Sequence, residues 1–527
     1  MDCTQINYST TGFFSKTLTD YLSNSPALSK FYKYQPHITS FQQVIADRTK
    51  SPINRKVLVD MLKLQYQSLG SGIWTENIDA LLNANTYTVT TGHQLCLGTG
   101  PLYFIYKIIT TINLAKEIEM ANTGIKVVPV YWMATEDHDF EEINHFSIFS
   151  KKLTWELEAK GATGRLSTET LSSVYDELKT ILGDSEQGQK LASLFEKSYL
   201  KHGNLADATR AFVHELFGEY GLVVIDADNR ELKREFASVM KKDITEQHSF
   251  KLVNETIKQL EEVGANVQVK PREINFFYLD DQLRERIVFE NGKYTVLNTN
   301  INFTQEELEG EIDNHPEKFS PNVIMRPLYE ECILPNLAYI GGGAEVNYWM
   351  ELKSTFDFYK IFFPVLVLRN SALVVDEASK KKLQHLNLDA KNLFTDTNKL
   401  VDFFVKQQST NELNLDVEVQ KIEKAFTQIA LKAQNIDPTL LGSVEAEKTK
   451  FFNSLKGLES KLSKAEKKKF EQQTNQIVKV KEKLFPNGSL QERSDNFMPF
   501  YLKQGNCFID MLHQKFDPLE FKFSIFE

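Results

Sequence analysis

Three polar stretches of this sequence carry residue types that could do chemistry, and two of them are rich in glycine. The first is Thr90-Thr-Gly-His-Gln94 with Thr99-Gly-Pro101. Glycine lets backbone approach a ligand, and a helix starting near Thr99 would offer unpaired N–H donors and a partial positive charge to an anion. Thr91, Gly92, His93, Gln94 and Gly100 would surround such an anion, with Lys107 two turns along on the Tyr103 face. No Gly-Lys-Ser/Thr follows and there is no GxGxxG, so neither a P-loop nor a dinucleotide fingerprint is present. The plain alternative is a tight strand-to-helix turn.

The second stretch, Thr135-Glu-Asp-His-Asp-Phe-Glu-Glu-Ile-Asn-His145, is dense in carboxylates with a histidine at each of 138 and 145. Such a cluster can hold amines or hydroxyls, work as an acid or base, or bind a divalent metal. Glu136, Asp137, His138, Asp139 and Asn144 are the candidates. The histidines lack HExxH spacing, and no metal is assigned. The alternative is a solvated helix start capped by Asp137 or Asp139. The third stretch, Tyr339-Ile-Gly-Gly-Gly-Ala-Glu345, precedes a helical run. Gly341, Gly342 and Gly343 would form a phosphate or carboxylate cradle with Glu345 at its mouth. Arg326, read as following a strand, is the best single clamp for a carboxylate or phosphate. A mobile glycine loop is the alternative.

An open parallel sheet would position all three. Tyr87–Thr91 is β-branched and strand-like, Leu102–Glu119 has a helical apolar period, and Val127–Trp132 is a buried-looking strand. Strand, helix, strand is the βαβ unit. Gly221–Asp226, Val323–Met325 and Val365–Leu368 read as further strands, and ligands in such sheets bind beyond the strand C-termini. The expected fold is α/β, a Rossmann-like core with two inserted connecting segments and a C-terminal helical coiled-coil arm. The expected divisions are N-terminal helices and first half-core at 1–150, an insertion at 151–215, a return to the core at 216–264 and a strand-rich insertion at 265–320. The second half-core follows at 321–378, then the arm at 379–486 and a tail docking on the core at 487–527. In the arm, Ile422, Phe426, Ile429 and Ala433 share one helical face, and Phe451, Leu455, Leu458, Leu462 and Ala465 recur three or four apart.

The chain has 527 residues, 42% hydrophobic and 25% charged, with formal net charge −10. The acidic balance argues against a nucleic-acid partner. The start, Met1 to Gln5, lacks a basic segment leading into an apolar run, and the densest apolar stretch, Ile361–Leu368, is broken by Pro364 and too short to span a bilayer. No signal peptide and no membrane contact are expected, and the location expected is cytoplasmic. Cys3, Cys96, Cys332 and Cys507 are widely separated, which disfavours a zinc knuckle or disulfide framework. Cys96 reads as a small buried residue.

Taken together, Thr91-Gly-His-Gln94 with Thr99-Gly-Pro-Leu-Tyr103 and Tyr106-Lys107, then Pro129-Val-Tyr-Trp132, Glu136-Asp-His-Asp-Phe140 and Ile143-Asn-His145, resemble the bacillithiol-biosynthesis cysteine ligase family. Arg326-Pro, Leu334-Pro, Tyr339 to Glu345 and Leu490-Gln-Glu-Arg493 are similar to its later segments. One departure is His93, where the family usually has glutamine. The resemblance implies a homodimer formed through the coiled coil. It also implies an enzyme that joins cysteine to the amine of glucosaminyl-malate. By analogy with class I aminoacyl-tRNA synthetases, ATP with magnesium would activate the cysteine carboxyl as an adenylate, although only Gly92-His93 echoes their His-Ile-Gly-His motif. On this reading His93, Asp137, His138 and Asp139 are the catalytic candidates, and Arg326 holds the malyl carboxylates. The competing readings are a related nucleotidyl- or aminoacyl-transferase acting on another amine, and a non-catalytic nucleotide-binding coiled-coil adaptor.

Overall fold

Five short segments pair into one parallel sheet in the computed structural model, which describes residues 2–70, 73–411 and 414–527. They are β1 (Thr86–His93), β2 (Lys126–Met133), β3 (Val223–Asp226), β4 (Asn336–Gly341) and β5 (Val365–Leu368). Their order across the sheet is β5-β4-β1-β2-β3. The helices that matter for the cleft are α1 (Tyr103–Ala121), α2 (Arg326–Ile333) and α3 (Gly343–Glu351). From β1 the chain winds one way through α1 to β2, and from β4 it winds the other way through α3 to β5. The crevice of such a doubly wound sheet opens where the winding reverses, between the C-terminal ends of β1 and β4.

The central position of β1 explains its composition. Every residue from Thr86 to His93 is buried, so its hydroxyls need partners. Thr88 and Thr90 bond the Asn336 side chain at 3.3 and 3.0 Å, and Thr91 donates to the Ile340 carbonyl at 2.9 Å. Below the sheet, Val89, Leu114, Ile118, Val127, Ile340 and Val367 pack into one apolar cluster.

Between β2 and β3 lie a two-stranded hairpin and the helices Ser172–Leu182, Glu186–Tyr199 and Leu205–Phe217. Between β3 and α2 lie more helices and a five-stranded antiparallel sheet that includes Phe276–Asp280 and Leu283–Glu290. Two expectations about elements need correction. Cys3–Asn7 is a strand rather than part of a helical N-terminus. Val323–Met325 is a turn: the Asn322 side chain accepts from the Ile324 amide at 2.9 Å, and Arg326 and Pro327 open α2 directly. An asparagine that bonds the following backbone competes with sheet pairing, and the strand forms instead at Asn336–Gly341.

The chain divides into two compact units. One holds residues 3–373 and 490–524, and the other holds 374–489 with the chain termini. In the second unit, helices Asp416–Ile436 and Leu441–Lys469 fold back on each other through the turn Pro438–Leu440. Phe426 meets Phe451 and Phe452 across this hairpin. At 1.5 Å per residue the longer helix runs about 43 Å. The inward stripe is not quite the expected one. Phe451 meets Phe426, and Phe452 and Leu455 are half-buried, whereas Ile429, Leu458 and Leu462 stand 45–49% exposed. Helical drift over a long run places alternate apolar positions on a second, outer face. Among the described residues, no helix is long and apolar enough to cross a membrane.

Candidate active site

A cleft of about 330 Å³ opens at the winding reversal. The end of β1 contributes Gly92, His93 and Gln94, α1 contributes Tyr103 and Lys107, and β2 ends in Trp132. Arg326 enters from the first turn of α2, Tyr339 from β4, Gly342 to Glu345 and Tyr348 from the start of α3, and Arg369 from just beyond β5. Arg493, from the tail, completes the wall.

Lys107 sits on a helix buried almost all round, so its ammonium must be paired where it lies. It donates to the Gly92 carbonyl at 2.8 Å and pairs with Glu345 at 2.5 Å. Burial pulls the Lys107 ammonium below its usual range, and Glu345 works against that. Glu345 also accepts from the Tyr339 hydroxyl at 2.9 Å and the Gly342 amide at 2.7 Å. Burial pushes its carboxyl up, but Lys107 and the Gly342 amide outweigh this and hold it below the ordinary value. The glycine cradle is therefore already filled by the chain's own carboxylate. Gly341 lies outside the cleft lining, with the Glu345 Cβ 2.9 Å from where its own Cβ would be.

Arg326 pairs with Glu330 at 2.5 Å and donates to the Tyr348 hydroxyl at 3.3 Å, with its guanidinium near the faces of Trp132 and Tyr339. It opens a helix instead of following a strand. Burial pushes the Glu330 carboxyl up to about 7, against the pull of Arg326. A Cβ at position 92 would lie 3.2 Å from the Tyr339 hydroxyl and 3.6 Å from Arg326. A side chain there would crowd the Tyr339 hydroxyl.

Two cleft residues were absent from the sequence candidates. Arg369 lies just beyond the expected strand Val365–Leu368, and Arg493 was noted only within a similar segment. Arg369 pairs with the fully buried Glu492 at 2.7 Å, and Glu492 also accepts from the Ser371 hydroxyl and the Ala372 amide. The Arg369 Nε is buried without a hydrogen-bond partner. Arg493 is exposed at the mouth, and its guanidinium has no ion-pair partner among the described residues. The same tail stretch occupies the start of α1. Leu102 donates its amide to the Asp495 carbonyl at 2.7 Å, and the buried Asn496 side chain donates to the carbonyls of Gly98 and Gly100. Gly100 is consequently sealed under the tail and does not line the cleft. Its φ of +63° and a Cβ position 2.6 Å from the Cys96 Cβ explain the glycine.

His93 is 8% exposed, and its ring stacks on Tyr103. Its Nδ1 lies 2.9 Å from the Gln94 carbonyl, which can only accept, so in the neutral ring Nδ1 carries the proton and Nε2 the lone pair. Nε2 is buried with no partner. Burial, reinforced by Lys107, lowers the His93 pKa to about 3. The ring is neutral at working pH and presents a lone pair, which is the wrong polarity for the phosphate or carboxylate expected there.

The acidic stretch lies beside the cleft and does not line it. Gln94 donates through Nε2 to Asp137 at 2.8 Å and to Glu142 at 2.9 Å. Burial raises the Asp137 carboxyl, but bonds from His138 and Gln94 and the charge of Arg284 hold it well below the carboxylate range. His138 is exposed and bonds Arg284 of the second insertion at 2.7 Å. Asp139 is exposed, and its side chain makes no capping bond. Glu136 pairs with the fully buried Lys233, and Asn144 bonds His145. Thr91 is tied up by its bond to β4. The structure gathers Gly92, His93, Gln94, Lys107, Arg326, Gly342, Gly343 and Glu345, and leaves the other candidates outside. Among the described residues, no three His, Cys, Asp or Glu side chains cluster as metal ligands.

Comparison with known proteins covers nearly the whole chain. Residues 1–370 match the family model described as bacillithiol biosynthesis BshC, N-terminal Rossmann-like domain, and residues 372–527 match its C-terminal coiled-coil domain. The α/β class with a helical coiled-coil arm, expected from the sequence, is thereby established. A relative in Flavobacterium johnsoniae, named "Putative cysteine ligase BshC", is 48% identical over 99% of both chains. Relatives of the same name in Flavobacterium psychrophilum and Christiangramia forsetii are 46% and 43% identical, covering 99% of this chain and 99% and 98% of theirs. The ligase class expected from the sequence is the class those names carry. The chain belongs to the BshC family of bacillithiol biosynthesis.

Proposed function

We propose that this chain is a cytoplasmic ligase that joins the carboxyl of cysteine to the amine of glucosaminyl-malate, giving bacillithiol. The observation that carries the reading is the pairing in one cleft of an arginine wall (Arg326, Arg369 and Arg493) with neutral acceptors at the end of β1. A zwitterionic amino acid and a polyanionic acceptor need both. Amide formation from a carboxylate needs activation, because a carboxylate is a poor electrophile. ATP, with magnesium carried on its phosphates, would supply that activation. The unpaired Nε of Arg369 and the open guanidinium of Arg493 suit phosphate oxygens. Arg326, held in place by Glu330 and Tyr348, would take the malyl carboxylates.

Purified protein given cysteine and glucosaminyl-malate, with and without ATP and magnesium, should form product only with ATP, as read by mass spectrometry. Product without ATP would keep the ligation and overturn the activation. No product under any condition, from folded protein, would sink the reading.

The arm would serve as a dimer contact with a second copy. Its outer apolar stripe, Ile429 with Leu458 and Leu462, is what an isolated hairpin leaves open. Wild-type protein should sediment at twice the 60.6 kDa chain mass. The double variant Leu458→Glu/Leu462→Glu should sediment at the single-chain mass with unchanged helicity. A variant that stays dimeric would place the contact elsewhere.

A further inference from the structure

Two hydrogen-bond acceptors on adjacent cleft-lining residues have no protein donor among the described residues. The first is His93 Nε2, buried and unpartnered, its lone pair fixed by the bond from Nδ1 to the Gln94 carbonyl. The second follows from the Gln94 amide. Its nitrogen donates to two carboxylates, Asp137 and Glu142, and carboxylates only accept. Both amide hydrogens are therefore committed, and Oε1 is left without a protein partner among the described residues. A pair of uncommitted acceptors beside buried apolar rings calls for a ligand that donates twice.

We propose that the end of β1 is an ammonium subsite, in which His93 Nε2 and Gln94 Oε1 accept N–H bonds from the α-ammonium of an amino-acid substrate. This rests on the ligase reading above and assigns one end of that substrate. Asp137 and Glu142 stand behind Gln94 and add negative potential without touching the ligand. The arginine side of the cleft is left for the carboxylate. The chemistry favours the amine that must not react. A ring held neutral by burial and an amide oxygen are both too weakly basic to take a proton from an ammonium, so they hold it charged and non-nucleophilic. The attacking amine of the acceptor needs the reverse and would be excluded from this corner. Gln94 also ties the acidic stretch, including Asp137, to substrate binding.

The test is equilibrium binding of L-cysteine and of its deaminated analogue, 3-mercaptopropionate, to the full chain by calorimetry, with and without ATP. Wild-type protein should prefer cysteine by at least tenfold. His93→Leu and Gln94→Leu should each lose most of that preference by weakening cysteine alone. His93→Gln, which keeps an acceptor, should restore it. Equal cysteine affinity in wild type and both leucine variants, with melting temperatures preserved, would overturn the subsite and leave the ligase reading standing. No cysteine binding by wild-type protein under either condition would overturn both.

Discussion

Glu345→Ala is expected to destabilise the Rossmann-like unit by about 3–5 kcal/mol, the cost of leaving one member of a buried ion pair alone. The carboxylate is the shared acceptor for the Lys107 ammonium, the Tyr339 hydroxyl and the Gly342 amide. Removing it strands a charge only 5% exposed and two neutral donors at once. The measurement is a urea titration followed by tryptophan fluorescence. All four tryptophans, Trp74, Trp132, Trp155 and Trp349, belong to this unit, so the signal reports on it and not on the arm. Adding Lys107→Met should recover much of the loss, because a buried pair replaced by apolar side chains of similar volume costs little. Recovery of stability without recovery of activity would mark the pair as part of the cleft wall and not only of the core. A single variant within about 1 kcal/mol of wild type would mean that the pair is solvated.

The parts of the fold legible in the sequence are those where a local period is not contradicted by side-chain bonding. β1, α1, β2 and β5 read correctly because their apolar and β-branched runs are buried on both faces, as in parallel sheets generally. Val323–Met325 read as a strand on the same logic and failed, because Asn322 captures the following amides. The arm's helices were legible from their period, yet Ile429, Leu458 and Leu462 stand half exposed: a stripe three or four apart does not say which side meets the partner helix.

The site was half legible. Glycine next to a helix start correctly marked the cleft, but which atoms remain free there depends on partners from distant segments. The cradle at Gly342 is closed by Glu345 because Lys107 arrives from α1 to neutralise it. The start of α1 is closed by Leu102 bonding Asp495 of the tail. Nothing in the local pattern around Arg493 points to a ligand: it enters the cleft because the tail packs with the Rossmann-like unit.

His93 makes the polarity of the cleft measurable through stability. Its folded pKa, about 3, lies below the ordinary histidine value of 6.5 because of burial first and Lys107 second. Between these values the unfolded chain binds a proton that the folded chain refuses, so stability rises with pH. The contribution is fully present above about 6.5 and is lost as pH falls toward 3. By pH 5 the loss from this one group is about 2 kcal/mol, set almost entirely by the unfolded pKa. His93→Gln cannot be protonated in either state. Its stability between pH 7.5 and pH 5 should therefore fall by about 2 kcal/mol less than that of wild type, with every other titrating group cancelling in the difference. Urea midpoints by tryptophan fluorescence at the two pH values give both numbers. Parallel profiles would mean that the folded chain accepts the proton at His93. The end of β1 would then carry a cation and attract anions, the opposite of the ammonium subsite, and the phosphate site first expected at Gly92 and His93 would return.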